Sequence, residues 1–299
     1  MKKKHLLGLK DLSAAEITEI LDRAAAYKKH AWATKPLSGK SVITLFYENS
    51  TRTKLSFELA AKNLGAGVSG MAASASSVSK GESLIDTGRT LDALGVDAIV
   101  LRHPMSGAPH LLDKNIKARV INGGDGSNEH PTQALLDMLT MREKFGNLKG
   151  LTVALCGDIL HSRVARSNIW GLKTMGADVR VVGPQTLLPS YAEQAGCKAY
   201  TDLDKAVDGA NVVMGLRLQL ERQKSALFPG TGEYSQFYGL TAARFEKAAK
   251  NAIIMHPGPT NRDLEIDGAV ADCSASMIDI QVTNGVAVRM AVLEGLCSN

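Results

Sequence analysis

The stretch Val42-Ile43-Thr44-Leu45-Phe46-Tyr47-Glu48-Asn49-Ser50-Thr51-Arg52-Thr53, with Phe57, Ala60, Ala61 and Leu64 behind it, decides the fold. Its first six residues are an apolar run of strand length. The later four recur at i, i+3, i+4 and i+7 and are closed by Gly65. The pattern predicts strand, short loop and helix. Ser50-Thr51-Arg52-Thr53 then sits at the helix start, where backbone N–H groups lack intrahelical partners and the terminus carries partial positive charge. Three hydroxyls and a guanidinium placed there suit a phosphate. The same four residues also read as an ordinary helix cap followed by a surface arginine, because Ser and Thr are favoured caps.

Working outward, the unit repeats. Asp97-Ala98-Ile99-Val100-Leu101 reads as a buried strand running into Arg102-His103-Pro104. Arg119-Val120-Ile121-Asn122 is another short strand, opening into Gly123-Gly124-Asp125-Gly126. Glu129-His130-Pro131-Thr132-Gln133 follows, with Pro131 suited to a first helical position, so His130 lies at a helix start and Gln133 one turn on. Strand, loop and helix thus recur with polar residues at strand C-termini, the ligand-binding end of an open parallel sheet. Before the first strand, Ser13 and Glu16 form a capping box for a helix carrying Ile17, Ile20, Leu21 and Ala24 on one face. The Ser-rich stretch from Gly70 to Ser79, ending in Lys80-Gly81-Glu82, reads as a loop, either a mobile functional one or a plain linker. Glu82 to Leu94 reads as a helix.

The second half restarts the pattern. Leu151 to Cys156 is a strand, Gly157-Asp158-Ile159-Leu160-His161-Ser162-Arg163 its loop, and a helix runs on to Gly176. No GxGxxG accompanies it, which argues against a dinucleotide site. Further strands are expected at Val179–Val182, near Cys197–Tyr200, at Val212–Met214 and at Ala252–Met255. The last two lead into Arg217-Leu218-Gln219 and His256-Pro257-Gly258-Pro259. Thr283 to Leu296 is expected to close the chain as an amphipathic helix. The fold class is therefore α/β, with two doubly wound parallel-sheet lobes joined by helices. The expected domains are residues 1–149, 150–282 and a C-terminal helix, 283–299, packing back on the first.

Composition narrows the function. The 299 residues are 44% hydrophobic and only 5% aromatic, which disfavours base stacking on nucleic acid. A net charge of +5 suits small anionic ligands. No apolar run reaches the roughly 20 residues of a membrane span, and no signal-peptide core follows the N-terminal lysines. The four cysteines form no CxxC pair, so neither zinc nor a disulfide framework is expected and a reducing cytoplasm is the default.

Phe46-Tyr47-Glu48-Asn49-Ser50-Thr51-Arg52-Thr53 resembles the carbamoyl-phosphate motif of the aspartate and ornithine carbamoyltransferases. Lys80-Gly81-Glu82, Arg102-His103-Pro104 and His130-Pro131-Thr132-Gln133 resemble further motifs of that family, in order. Arg217-Leu218-Gln219 and His256-Pro257-Gly258-Pro259 look like the aspartate branch, and the His-Cys-Leu-Pro and Ser-Met-Gly motifs of the ornithine branch are absent. Two departures stand out: Gly258 where some members have Leu, and Ser79 where some have a second Lys.

The resemblance implies carbamoyl transfer to the α-amine of aspartate, with no metal and no cofactor. It implies that Ser50, Thr51, Arg52 and Thr53 cradle the phosphate, joined by Ser76 and Lys80 from a neighbouring subunit. Arg102 would bridge phosphate and carbonyl oxygen, and Thr53, Arg102 and His130 would polarise that carbonyl. Gln133 and the carbonyls of Pro257 and Gly258 would grip the carbamoyl amide. Arg163 would meet the α-carboxylate of aspartate, and Arg217 with Gln219 the β-carboxylate. The implied assembly is a homotrimer with shared active sites, open to a regulatory chain or a dihydroorotase, and with no nucleic-acid or membrane partner. Two rivals remain at this point: transfer to another amine such as ornithine, and a catalytically silent homologue.

Overall fold

In the computed structural model the chain divides into two compact units, residues 1–139 with 282–299, and residues 140–281. The structure describes residues 4–29, 34–72, 81–219, 227 and 230–298. Among the described residues no helix is long and apolar enough to cross a membrane.

The first unit opens with α1 (Ala14–Lys29), capped as its sequence implies: Ser13 N donates to Glu16 Oε2 at 2.9 Å and Glu16 N donates back to Ser13 Oγ at 3.3 Å. Then come β1 (Ser41–Phe46), α2 (Thr51–Asn63), β2 (Gly67–Ala72), α3 (Leu84–Ala93), β3 (Ala98–His103), α4 (Ala108–Asp113), β4 (Arg119–Asp125) and α5 (Pro131–Phe145). The strands are all parallel, in the order β2-β1-β3-β4. Leu45, Ile99, Leu101 and Val120 of the sheet pack with Leu91 and Leu112 of the helices beside it. One expectation fails here. Residues 70–72 belong to β2, an edge strand in register with Thr44 to Phe46 rather than loop. Gly70 and Ser69 have low strand propensity, and pairing with β1 overrides it.

The second unit carries β5 (Thr152–Cys156), α6 (Arg163–Thr174), β6 (Asp178–Val182), α7 (Ser190–Gln194), β7 (Lys198–Tyr200), α8 (Leu203–Val207), β8 (Val212–Gly215), α9 (Thr231–Tyr238), α10 (Ala242–Phe245), β9 (Ile253–Met255) and α11 (Gly268–Ala271). Its sheet is parallel too, ordered β7-β6-β5-β8-β9. The core joins Ala154, Val182, Val213 and Ile254 to Ala206, Val207 and Val270.

The closing helix α12 (Ile278–Cys297) begins five residues earlier than expected and is not amphipathic. From Asn284 to Cys297 it is buried nearly all round, including Val288, Val292 and Leu293. A helix apolar on every face is a core helix, and the amphipathic reading gave its few polar residues the wrong weight. One of them, Glu294, is tied to α1 through Arg23 Nη1 at 3.2 Å.

Strand order locates the chemistry. In the first sheet the chain leaves β1 to one side for β2 and returns to the other side for β3, so β1 and β3 flank a reversal. In the second, β5 and β8 flank the equivalent point. Ligands bind beyond strand C-termini at such reversals.

Candidate active site: two anion-binding half-sites

In the first unit, Ser50 ends the β1–α2 connection as the N-cap of α2, with extended backbone (φ −161°, ψ 99°) and no side-chain cap hydrogen bond. The contrast with Ser83 is informative, since its Oγ accepts from Asp86 N at the start of α3. The hydroxyl of Ser50 is thus not used by its own helix, which favours the anion reading over the simple cap. Thr51 and Arg52 are exposed and Thr53 is buried. Partial desolvation lowers the Arg52 pKa below the usual guanidinium value, although the side chain stays largely open to solvent.

Arg102 lies at the C-terminal end of β3, across from a one-residue β-bulge. Leu101 pairs with Asn122, but His103 pairs with Asp125, so β4 carries an extra residue. Gly123 and Gly124 make this possible: Gly124 has φ +117°, and a Cβ on Gly123 would lie 3.3 Å from the Leu101 carbonyl oxygen. Bulges re-aim side chains beside functional sites. Here the guanidinium of Arg102 donates to the Gly123 carbonyl at 3.4 Å, and its Nε lies 3.3 Å from Glu48 Oε2. Glu48 is a residue to which sequence reasoning assigned no role. Its signal was its place between the first strand and Ser50.

His130 is brought against Thr53, with Nε2 and Oγ1 3.5 Å apart in a buried setting. The loop that delivers His130 is held by Asp125. This fully buried carboxylate accepts from Asn122 Nδ2 at 2.7 Å, Gly107 N at 2.7 Å and Glu129 N at 3.1 Å. Gln133 is one turn further along α5 and nearly buried. Ser76 and Lys80 lie outside the described residues.

In the second unit, Arg163 is the first residue of α6 and is buried, behind Ser162, whose Oγ accepts from Ala165 N. Arg217 and Gln219 are half-buried in the segment after β8. Asp158 joins the loop before α6 to the segment after β8. Fully buried after β5, it accepts from His161 N at 3.1 Å and from Gln219 N at 3.3 Å, with His161 Nδ1 2.9 Å from its Oδ1. Asp158 is a residue that sequence reasoning missed, because a lone Asp in a loop carries no spacing signal. Gln219 Nε2 donates to the Arg217 backbone carbonyl at 3.3 Å.

Pro257 and Gly258 follow β9 and are half-buried. Gly258 has φ +62°, a conformation that glycine adopts at no steric cost, so its presence where some relatives have Leu is locally favourable. The loop is pinned from beneath: Gly258 N donates to His256 Nδ1 at 2.8 Å, and His256 Nε2 lies 3.3 Å from the buried Glu265. Nδ1 accepts, so the ring proton belongs on Nε2, facing the carboxylate.

Each unit therefore presents arginines and donors beyond the strands that flank its reversal. The first has the helix terminus and the small hydroxyls of a phosphate cradle. The second has two arginine-bearing segments joined through one carboxylate, which suits an organic dianion.

Comparison with known proteins agrees. Residues 4–143 match the model of the aspartate/ornithine carbamoyltransferase carbamoyl-P binding domain, and residues 149–296 the Asp/Orn binding domain of the same family. The chain is 60% identical to the aspartate carbamoyltransferase catalytic subunit of Ruminiclostridium cellulolyticum, covering 98% of this chain and 95% of that one. It is 57% identical to that of Caldanaerobacter subterraneus subsp. tengcongensis, covering 99% of each. Among solved structures, aspartate transcarbamoylase from Trypanosoma cruzi in complex with carbamoyl phosphate and aspartate superposes with a TM-score of 0.88 at 30% identity, over 98% of this chain and 95% of that one. On this evidence of sequence and fold together, the chain belongs to the aspartate/ornithine carbamoyltransferase family.

Proposed function

We propose that this protein transfers the carbamoyl group of carbamoyl phosphate to the α-amine of L-aspartate, giving N-carbamoyl-L-aspartate and phosphate, the committed step of pyrimidine synthesis. The observation that carries this reading is the pair of arginine-bearing segments in the second unit, tied to each other by Asp158. Two carboxylates of aspartate call for two guanidinium groups, whereas the side-chain ammonium of ornithine would be repelled by them. The named relatives at 57–60% identity are aspartate carbamoyltransferase catalytic subunits, and the T. cruzi enzyme holds carbamoyl phosphate and aspartate.

In this reading Ser50, Thr51, Arg52 and Thr53 receive the phosphate at the start of α2. Thr53, Arg102 and His130 face the carbonyl oxygen and hold the oxyanion of the tetrahedral intermediate. Gln133 and the Pro257 and Gly258 carbonyls take the carbamoyl NH₂. Arg163 takes the α-carboxylate, and Arg217 with Gln219 the β-carboxylate. The amine attacks the carbonyl carbon, the bond from that carbon to the phosphate oxygen breaks, and the amine proton leaves on the departing phosphate. The amine is itself the nucleophile and phosphate a good leaving group, so the chemistry needs positioning and charge stabilisation above all. The assembly proposed is a cytoplasmic homotrimer in which Ser76 and Lys80 complete a neighbour's site.

The test is a carbamoyl-transfer assay on the purified chain with L-aspartate and L-ornithine side by side. Turnover with aspartate alone is expected. Turnover with ornithine, or with neither, overturns the assignment. The shared site is tested by mixing inactive Lys80→Ala and Arg52→Ala assemblies. Subunit exchange should restore activity, and exchange without recovery refutes the cross-subunit role of Lys80.

A further inference from the structure

A buried polar chain behind Gln133 has no part in the reading above. Gln133 Nε2 donates to Asp137 Oδ1 at 3.0 Å, one turn along α5, and Asp137 is fully buried. Arg289 of α12 is buried as well, with its guanidinium carbon 5.0 Å from the centre of the Phe57 ring on α2. Space for that guanidinium is kept by Gly285, where a Cβ would lie 2.5 Å from Arg289 Nη1. Burial lowers the Arg289 pKa to about 10 while the charge of Asp137 raises it, so at neutral pH the guanidinium keeps its proton. A buried cation of this kind supplies the counter-charge that lets a carboxylate remain ionised out of water.

We infer that Asp137 is a positioning residue that sets the polarity of the Gln133 side-chain amide, so that the site selects an acyl phosphate bearing N–H donors. An ionised carboxylate only accepts hydrogen bonds, so the end of the amide facing Asp137 must be the NH₂. The carbonyl oxygen Oε1 is then the end left for a ligand, and it accepts only. A carbamoyl NH₂ satisfies it. The methyl of an acetyl group cannot, and would leave a partly buried acceptor unpaired. With Asn at position 137 the amide could turn over, since either end would find a partner, and that selection would be lost. The inference rests on the assignment of Gln133 to the carbamoyl amide, and its test separates the two.

The experiment compares the KM for carbamoyl phosphate with the inhibition constants of acetyl phosphate and inorganic phosphate in full-length wild type, Asp137→Asn, Gln133→Ala and the double variant. Asp137→Asn should weaken carbamoyl phosphate by about 10-fold or more, the scale of one misdirected hydrogen bond, and leave the two controls within about 2-fold. Gln133→Ala should give a similar selective loss, and adding Asp137→Asn to it should change the selectivity no further. If Gln133→Ala leaves carbamoyl phosphate unaffected, the assignment of Gln133 is wrong. If Gln133→Ala behaves as stated but Asp137→Asn weakens all three ligands together, or none, Asp137 is only structural and the inference is overturned. A wild-type measurement covers a variant that fails to fold. The Gln133 side-chain NH₂, identified by its loss in Gln133→Ala, should exchange with solvent about 10-fold or more slowly than that of exposed Gln236. Equal exchange rates overturn the inference.

Discussion

Asp158→Asn isolates the role of the carboxylate that joins the two arginine segments. Asp158 receives three donors: His161 N at 3.1 Å, His161 Nδ1 at 2.9 Å and Gln219 N at 3.3 Å. Asn keeps one acceptor oxygen and turns an NH₂ toward the remaining donors, so at least one hydrogen bond to a charged acceptor is lost. Such a bond contributes about 1.5–3 kcal/mol. If that loss is transmitted to the segment bearing Arg217 and Gln219, kcat/KM for aspartate falls by about 10- to 10²-fold, at roughly 1.4 kcal/mol per tenfold. The carbamoyl-phosphate half-site belongs to the other unit, so inhibition by inorganic phosphate should be unchanged. The assay is steady-state carbamoyl transfer with aspartate varied at saturating carbamoyl phosphate, beside phosphate inhibition under the same conditions. A wild-type aspartate dependence, or a loss of phosphate inhibition equal to the loss of aspartate use, would refute the reasoning.

Arg102→Ala should lower kcat/KM by about 10²–10³-fold, the cost of removing an oxyanion donor, while the melting temperature stays close to wild type; near-normal turnover would remove Arg102 from the chemistry. Ser50→Ala and Ser83→Ala should separate cap from ligand. Only Ser83 caps its helix, so Ser83→Ala should cost about 1 kcal/mol of unfolding free energy, whereas Ser50→Ala should leave stability alone and weaken carbamoyl phosphate. Asp97 gives a pH prediction. Against the burial that raises it, its pKa is lowered by the backbone N–H of Ser41 and by Lys40. A depressed folded-state pKa adds stability that is present above the ordinary carboxylate value, near 3.8, and is lost as pH falls through the folded one. The stability gap between wild type and Asp97→Asn, measured by urea unfolding, should therefore narrow below about pH 4; a gap constant with pH would contradict the shift.

The legible part of the site was local. Ser50 to Thr53 stood out because a helix start with hydroxyls and an arginine carries its meaning within four residues. The same holds for Arg102 after a buried strand and for His130 before Pro131. The strand at 67–72 escaped notice because glycine and serine have little strand preference, and only the pairing with β1 supplies the stabilisation. The closing helix was legible as a helix but not as a buried one, since burial on all sides depends on what surrounds it.

By itself the amino-acid sequence determined the α/β class, the strand-loop-helix succession and the family, and it nominated the candidate ligand-bearing residues. Each of these depends on residue periodicity or on short motifs whose members are chain neighbours. Only the tertiary structure decided which residues support them. Asp125, Asp158, Glu265 and Arg289 each act on groups brought near by strand order, by a bulge or by the return of the last helix. A buried carboxylate is recognised by the donors that surround it, and those donors are distant in the chain or set by backbone geometry. No spacing rule along one chain encodes them.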